Sequence, residues 1–198
     1  MDPNINLLAF LVIIGALSYL LGSIPFGLLI TRMGGRGDIR EIGSGNIGAT
    51  NVLRTGSKLL ALLTVLCDGG KGIVAILLAT RLGDSAVMVA AIAVIIGHIF
   101  PIWLGFKGGK AVATAGGVYF ALAWPIGIGA ALTWLVVAFA TRYSSLAALI
   151  ATVIAPIFAY FWASNFVIPT VIIAFLIIYR HKENIERLIA RTETKIGN

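Results

Sequence analysis

Apolar runs that recur along almost the whole chain constrain its fold more than any other feature of the sequence. Of its 198 residues, 59% are hydrophobic and only 12% are charged, and the mean hydropathy is +1.00. A soluble domain of this size needs more polar surface, and a transmembrane β-barrel would show alternating strands of about ten residues. The sequence therefore predicts an all-α, polytopic integral membrane helical bundle that forms one domain over residues 1–198.

About seven runs are candidates for transmembrane helices. They are Leu7–Ile30, Leu59–Thr80, Ala86–Leu104, Ala111–Trp124, Ile126–Ala140, Leu146–Trp162 and Phe166–Tyr179. The first is too long for a signal-peptide core, and no Lys or Arg precedes it, so we expect a retained helix, with a bend allowed near Gly22 and Pro25. The fourth and fifth are short, because about 14 helical residues reach only ~21 Å across a hydrocarbon core of ~30 Å. These two are either spans shielded by protein or a re-entrant hairpin.

Basic residues are concentrated in three polar segments, 31–58, 105–110 and 180–198. Cytoplasmic loops of membrane proteins carry an excess of Lys and Arg. This pattern predicts an N-terminus outside, a C-terminus in the cytoplasm and all three polar segments on the cytoplasmic face. The formal net charge of +7 would also attract anionic substrates to that face. Cys67 is the only cysteine, which rules out an intrachain disulfide.

The first polar segment contains a glycine-punctuated stretch of small hydrogen-bonding residues. Its short polar side chains are Ser44, Asn46, Thr50 and Asn51. Gly45 and Gly48 allow the backbone to turn its N–H groups toward a ligand. Arg54 adds a permanent positive charge that suits phosphate or carboxylate. The stretch is either an anion-binding loop, which we favour, or a solvated connector.

The second polar segment places Gly108, Gly109 and Lys110 directly before a predicted helix start. Free N–H groups at a helix N-terminus, together with a lysine, favour anion binding. The stretch is not a Walker A loop, because position 104 is Leu where that motif needs Gly, and Ala111 follows the lysine. Phosphate or carboxylate binding is therefore predicted, without nucleotide hydrolysis.

The third polar segment carries His181 and Asn184 on one helix face. A histidine at the membrane surface can act as base, acid or phosphate ligand. The alternative is a solvated juxtamembrane helix that binds anionic lipid headgroups.

Within the second apolar run, Asp68 and Lys71 are three residues apart and can pair. The sequence leaves open whether that pair is structural or takes part in the chemistry.

Several features narrow the function further. No carboxylate cluster indicates a metal site, Cys67 lies within an apolar run, and Ser44 lacks a nucleophile-elbow motif. Two basic glycine-rich segments and a histidine beside an acyl-chain compartment favour transfer between phosphorylated substrates. A small membrane transporter for an organic phosphate is the competing function, although no internal repeat supports it. A metal-dependent phosphatidyl-alcohol transferase would need several aspartates within helices, and Asp68 is the only one within a run.

Taken together, the three motifs resemble those of the bacterial acyl-phosphate:glycerol-3-phosphate acyltransferases of the PlsY type. The first motif is Ser44-Gly-Asn-Ile-Gly-Ala-Thr-Asn51 with Arg54, and the second is Gly97-His-Ile-Phe-Pro101 with Phe106-Lys-Gly-Gly-Lys-Ala-Val-Ala-Thr114. The third is Arg180-His181 with Asn184 and Arg187. All three occur in order, and the resemblance covers nearly the whole chain.

The resemblance implies an enzyme that moves a fatty acyl group from acyl phosphate to the 1-hydroxyl of glycerol 3-phosphate. The products are 1-acyl-glycerol 3-phosphate (lysophosphatidic acid) and inorganic phosphate, in the first step of bacterial phospholipid biosynthesis. It also implies a monomer in the bacterial inner membrane with its active site on the cytoplasmic face. The expected partners are the two substrates and the lipid bilayer, with no cofactor, metal or nucleic acid.

The resemblance also assigns residue roles. The implied catalytic residues are Ser44, Arg54, Lys110, His181 and Asn184. The implied substrate- and phosphate-binding residues are Gly45, Asn46, Gly48, Thr50, Asn51, Lys107, Gly108 and Gly109. Lys107 is a second candidate for the lysine role, Glu186 is expected to be structural, and Ala111, where the family often has Gly, is expected to cost little. Transfer is expected to be direct, with the departing phosphate favoured over His181 as the proton acceptor.

Overall fold

The computed structural model describes residues 3–197, and in that range every regular element is helical, which confirms the all-α prediction. The α-helices are α1 (Pro3–Gly22), α2 (Phe26–Met33), α3 (Ala49–Leu53), α4 (Lys58–Thr80), α5 (Asp84–Ile99), α6 (Val112–Leu122), α7 (Trp124–Thr141), α8 (Ser144–Trp162), α9 (Val167–Arg180) and α10 (Lys182–Ile189). Short 3₁₀ helices occupy Ile39–Glu41, Ile102–Leu104 and Ser164–Phe166.

Five helical segments between residues 3 and 197 are long and apolar enough to cross a membrane. They are Asn6–Met33, Lys58–Thr80, Asp84–Leu104, Trp124–Thr141 and Ser144–Trp162. A sixth is reached if Ser164–Arg180 and Lys182–Ile189, which are bent by 61° relative to each other, count as one broken span. The chain is thus a polytopic membrane bundle with five or six spans by length and composition, besides the shorter apolar helix α6 (Val112–Leu122), and the count of about seven stays a prediction.

The two short apolar runs expected after residue 110 form helices of very different length. The fourth run becomes α6, with 11 residues, which reach only ~16 Å. The fifth becomes α7, with 18 residues. Ala123 is extended between them, and Pro125 lies in the first turn of α7, where a missing N–H costs nothing. The break predicted at Pro125 therefore lies at Ala123, because Pro125 fits within the first turn of α7.

The first apolar run is broken near its end, at the position where a bend was expected. α1 stops at Gly22 and α2 starts at Phe26. Pro25 has no N–H to continue the α1 hydrogen-bond ladder. The break redirects the chain into the first polar segment.

Glycines at the helix contacts allow close packing within the bundle. A Cβ at Gly97 of α5 would collide with the carbonyl of Tyr19 in α1, and one at Gly117 of α6 would collide with that of Gly69 in α4. Helix association in a bilayer depends on such small residues, because lipid tails are as apolar as leucine and supply no hydrophobic driving force.

The three polar segments meet at one end of the bundle, which we call the polar end. Arg54 Nη2 donates to Thr194 Oγ1 at 2.8 Å, and Arg180 Nη2 donates to the Gly108 carbonyl at 3.0 Å. The C-terminal strap, Arg191–Gly197, returns across this end and is held by the Ile196 N–H, which donates to the Arg142 carbonyl at 2.7 Å. All three motifs therefore lie close together in space.

Candidate active site

Glu193, in the C-terminal strap, organises the third motif. Its Oε1 accepts hydrogen bonds from Ser145 Oγ and Asn184 Nδ2, both at 2.6 Å, and its Oε2 accepts from Arg187 Nε at 2.7 Å. Burial alone would raise the pKa of this carboxyl, but the bonds from Ser145, Asn184 and Arg187 hold the pKa below its usual value. Glu193 is therefore a carboxylate that fixes Asn184 and Arg187 in place.

Sequence reasoning missed Glu193 and gave the structural role to Glu186. Glu186 is exposed on α10. The available signal was that Glu193 is the only acidic residue after α10, between Arg191 and Lys195. A lone carboxylate among cations is a candidate for a specific ion pair.

His181 is buried at the break between α9 and α10. Its Nδ1 lies 2.8 Å from the Ile177 carbonyl oxygen. Because a carbonyl only accepts, Nδ1 carries the proton in this bond, and Nε2 of the neutral ring has a free lone pair. Burial lowers the pKa of His181 to about 4, with the Ile177 bond opposing and the Lys110 charge adding to the shift. His181 is thus a neutral hydrogen-bond acceptor near pH 7.

Asn184 presents a second acceptor beside it. Its Nδ2 is used by Glu193, whereas its Oδ1 is buried and has no hydrogen-bond partner within the described part of the chain. A buried polar atom without a partner is costly in a finished structure. The free Oδ1 therefore indicates a place where a ligand donor binds.

Lys110 supplies a cation without a partner. Among residues 3–197, its ammonium makes no hydrogen bond or ion pair. Burial, together with the charges of Arg187 and Arg180, lowers its pKa to about 8, and Glu193 opposes this shift. Lys110 thus shares one electrostatic environment with the third motif, whereas Lys107 is exposed on the loop surface.

Gly108 and Gly109 are buried and packed against His98. Their N–H groups donate to the carbonyls of Ile99 and His98, both at 3.1 Å, so these two amides are not free for an anion. Free amides at this point belong instead to the first turn of α6, from Val112 onward. The glycines are needed for space, because a Cβ at either position would collide with His98.

Ala111 has a left-handed backbone, with φ of 60°. A Cβ in this conformation costs about 1–2 kcal/mol. The expectation that an alanine at position 111 costs little therefore overlooked the left-handed backbone there.

Asn51 braces the first motif from inside. Its Nδ2 lies 3.0 Å from the Ile39 carbonyl, 2.9 Å from that of Ile42 and 2.8 Å from that of Asn46. Its Oδ1 accepts from the Ser44 N–H at 3.1 Å. This side chain has no donor left for a ligand, so its geometry is that of a loop brace rather than of the phosphate ligand that was expected.

The backbone of the same loop is also largely satisfied. The Gly45 N–H donates to Ile42 at 3.0 Å, and the Gly48 N–H donates to Asn46 Oδ1 at 2.9 Å. Ser44 is exposed, and Thr50 Oγ1 lies 3.0 Å from Ser144 Oγ. The loop can therefore bind a ligand through its side chains, but not through these two amides.

Arg54 connects the first motif to the third. Its Nη1 donates to Asn51 Oδ1 at 3.3 Å and its Nη2 to Thr194, the residue after Glu193. The structure therefore brings Arg54, Lys110, His181 and Asn184 to the polar end, with Ser44 held through Asn51.

Residues 3–197 contain no group of three His, Cys, Asp or Glu side chains that could hold a metal ion.

Fold and site together define a polytopic helical membrane protein with a cluster of basic and buried polar side chains at one end of its bundle. A family model described as glycerol-3-phosphate acyltransferase matches residues 12–191. The chain belongs to this family, which confirms the resemblance seen in its three motifs.

Relatives and solved structures agree with this assignment. A glycerol-3-phosphate acyltransferase of Brucella anthropi is 55% identical over 194 residues, covering 94% of each chain. One of Erythrobacter litoralis is 52% identical over 199 residues, covering 100% of this chain and 97% of that relative. The crystal structure of PlsY, an integral membrane glycerol 3-phosphate acyltransferase, in its glycerol 3-phosphate form has a TM-score of 0.88 at 38% identity, covering 94% of this chain and 96% of that one.

Proposed function

We propose that this enzyme transfers a fatty acyl group from acyl phosphate to the 1-hydroxyl of glycerol 3-phosphate. Membership of the glycerol-3-phosphate acyltransferase family supports the acceptor. The choice of acyl phosphate as donor rests on the combined motifs and on the two basic segments at the polar end. The proposal places the polar end on the cytoplasmic face of the bacterial inner membrane, since Lys and Arg are concentrated there, and takes the working unit to be a monomer.

The observation that carries the proposal is a pair of free acceptors beside a free cation. His181 Nε2 and Asn184 Oδ1 accept hydrogen bonds, and Lys110 is an unpaired ammonium in the same environment, within the described residues 3–197. Glycerol 3-phosphate has hydroxyl donors for the two acceptors and a phosphate for the cation. A ligand bound in this way would have its hydroxyl groups oriented and its charge neutralised.

A second phosphate needs its own cation, and Arg54 is placed to supply it. The guanidinium already reaches from the first motif to the strap, and its planar fork suits a phosphate. Ser44 and Thr50 are exposed hydroxyls of the adjoining loop. We assign the acyl phosphate to this side of the site and glycerol 3-phosphate to the Lys110 side.

The chemistry then needs no covalent enzyme intermediate, because the acyl phosphate is already activated. The 1-hydroxyl oxygen attacks the carbonyl carbon, a new ester bond forms and the bond from that carbon to the phosphate oxygen breaks. The hydroxyl proton passes to the departing phosphate, which leaves as inorganic phosphate. His181 orients the hydroxyl through Nε2, and the cations stabilise negative charge as it develops.

The experiment is a donor comparison with purified protein. Acyl phosphate is supplied with and without glycerol 3-phosphate, and acyl-CoA serves as the control donor. The proposal predicts phosphate release that depends on glycerol 3-phosphate, is matched by lysophosphatidic acid and is absent with acyl-CoA. Folded protein that binds glycerol 3-phosphate but releases no phosphate would overturn the proposal and favour a transporter.

The direct transfer has its own test in Ser44→Cys. A thiol at this position is a better nucleophile than a hydroxyl and would trap an acyl group if residue 44 carried one. Intact-protein mass spectrometry after incubation with acyl phosphate should show no acyl adduct. An isolable acyl-enzyme would contradict direct transfer.

A further inference from the structure

Three ionisable side chains are buried inside the bundle, outside the site described above. They are Asp68 and Lys71 of α4 and His98 of α5, whose side chains are only 3%, 1% and 4% exposed. Lys71 Nζ lies 2.9 Å from Asp68 Oδ1 and 2.8 Å from His98 Nδ1. Such groups are expensive in a membrane interior and mark a function there.

On one side the cluster holds the break between α1 and α2. Lys71 Nζ donates to the carbonyl oxygens of Gly22 at 2.8 Å and of Ile24 at 3.0 Å. The break frees these carbonyls from helical bonding, and in a bilayer they need partners within the protein. Lys71 thereby fixes the start of the segment that leads to the first motif, while Asp68 balances its charge.

On the other side the cluster orients His98. A lysine ammonium only donates, so His98 Nδ1 accepts its hydrogen bond and the proton of the neutral ring lies on Nε2. Thr114 Oγ1, in the first turn of α6, lies 3.3 Å from the same Nδ1. The imidazole is thus held in one orientation between α4 and α6.

The oriented ring lies directly under the loop that carries Lys110. A Cβ built on Gly109 would collide with His98 Nε2, and the Gly109 N–H donates to the His98 carbonyl at 3.1 Å. Arg180 holds the neighbouring Gly108 carbonyl at 3.0 Å. The backbone just before Lys110 therefore rests on His98, both through its ring and through its carbonyl.

We propose that Asp68, Lys71 and His98 form a positioning unit for the glycerol 3-phosphate site. Lys71 and Asp68 hold the His98 ring, the ring and carbonyl hold Gly109, and Gly109 sets where the Lys110 ammonium lies. None of the three touches the substrate. The inference rests on the proposed function, because it assigns Lys110 to the phosphate of glycerol 3-phosphate, and it explains why a glycine with an ordinary φ is required at position 109.

A steric double-mutant cycle tests the contact between His98 and Gly109. Gly109→Ala should raise the KM for glycerol 3-phosphate by about 10- to 100-fold, since misplacement of a positioning group by ~1 Å can cost as much as about 10²-fold, with a smaller effect on kcat. In a His98→Ala background the same substitution should have little further effect, because the clashing ring is gone. Gly116→Ala in α6 is the matched control, since nothing lies within 4 Å of its added Cβ.

Removing both charges tests the other half of the unit. The pair Asp68→Asn with Lys71→Met leaves no unpaired buried charge and should therefore fold, but it deprives His98 Nδ1 of its ammonium donor. We expect a rise in the KM for glycerol 3-phosphate that exceeds any change in the KM for acyl phosphate, and a lower melting temperature, because the Gly22 and Ile24 carbonyls lose their donor. Unchanged KM values for both substrates would overturn the role of the pair.

Calorimetric titration with glycerol 3-phosphate separates this inference from the proposed function. Wild-type protein that neither binds glycerol 3-phosphate nor forms product overturns both. Active wild-type protein in which the Gly109→Ala penalty is the same with and without the His98→Ala substitution overturns the positioning unit alone. Loss of the penalty in the His98→Ala background, with the Gly116→Ala control unaffected, supports it.

Discussion

The lowered pKa of Lys110 should make the binding of glycerol 3-phosphate depend on pH. Burial brings this pKa from 10.5 to about 8, so the ammonium that binds the phosphate is present below pH 8 and is lost above it. The apparent dissociation constant is the intrinsic constant divided by the protonated fraction, which is about 0.9 at pH 7 and about 0.1 at pH 9. Affinity should therefore fall about tenfold between these values, or about 1.4 kcal/mol.

Isothermal titration calorimetry of the purified protein between pH 7 and pH 9.5 measures this dependence. The substrate phosphate, with a second pKa of about 6, is already a dianion in this range, and His181, with a pKa of about 4, is neutral. Repeating the titrations at pH 9 in buffers of different ionisation enthalpy should show uptake of nearly one proton on binding.

Lys110→Arg is the decisive variant, because a guanidinium stays charged throughout this range. It should bind with an affinity that no longer changes with pH. Lys107→Arg, on the exposed side of the loop, should keep the wild-type slope. Equal wild-type affinities at pH 7 and pH 9, or a slope that survives in Lys110→Arg, would refute the assignment of Lys110.

Three further substitutions follow from the site geometry. Glu193→Gln should lower the free energy of unfolding by about 1–3 kcal/mol, because the donors of Ser145, Asn184 and Arg187 lose their charged acceptor; Glu186→Gln on the exposed face should change the melting temperature by less than about 2 °C. Asn51→Ala should cost about 1–3 kcal/mol in chemical unfolding, since it strips three loop carbonyls of their donor, and unchanged stability would contradict its role as a brace. His181→Gln should raise the KM for glycerol 3-phosphate with near-normal turnover at saturation, whereas a loss of about 10²–10⁴ in kcat would make it an essential base.

Hydropathy predicted the helical membrane architecture and placed most helix boundaries to within a few residues. The long runs of α4, α5 and α8 were predicted to within a few residues, because continuous apolar segments in a membrane have one stable form. Within residues 111–140 the apolar runs predicted two helices divided at Pro125, and the structure divides them at the extended Ala123. The difference arises because Pro125 is accommodated in the first turn of α7, where its missing N–H costs nothing.

The sequence predicted which residues lie at the candidate site more accurately than it predicted what each residue does there. Lys110, His181 and Asn184 were singled out, and the structure places them together with Arg54 at the polar end. Asn51 and the Gly108–Gly109 pair were expected to bind phosphate, yet their hydrogen-bonding groups are used within the protein. Small polar residues and glycines can either stabilise a loop or bind a ligand, and only their contacts in the structure distinguish the two roles.

Long-range partners were beyond the reach of sequence reasoning. Glu193 reaches Ser145, 48 residues away, and Lys71 reaches the Gly22 carbonyl, 49 residues away. The local pair of Asp68 and Lys71 was predicted from its spacing, but His98 could not be joined to it. Helix packing decides such contacts, and a single sequence carries no signal of that packing at the level of side chains.

A structure of this protein with glycerol 3-phosphate and a non-hydrolysable acyl phosphonate bound together would test direct transfer most directly. We expect the glycerol phosphate beside the Lys110 ammonium, the phosphonate beside Arg54, and the 1-hydroxyl oxygen within about 3–3.5 Å of the acyl carbonyl carbon, as direct transfer requires. A glycerol phosphate bound away from Lys110, or a protein side chain lying between the hydroxyl and the carbonyl carbon, would contradict this expectation.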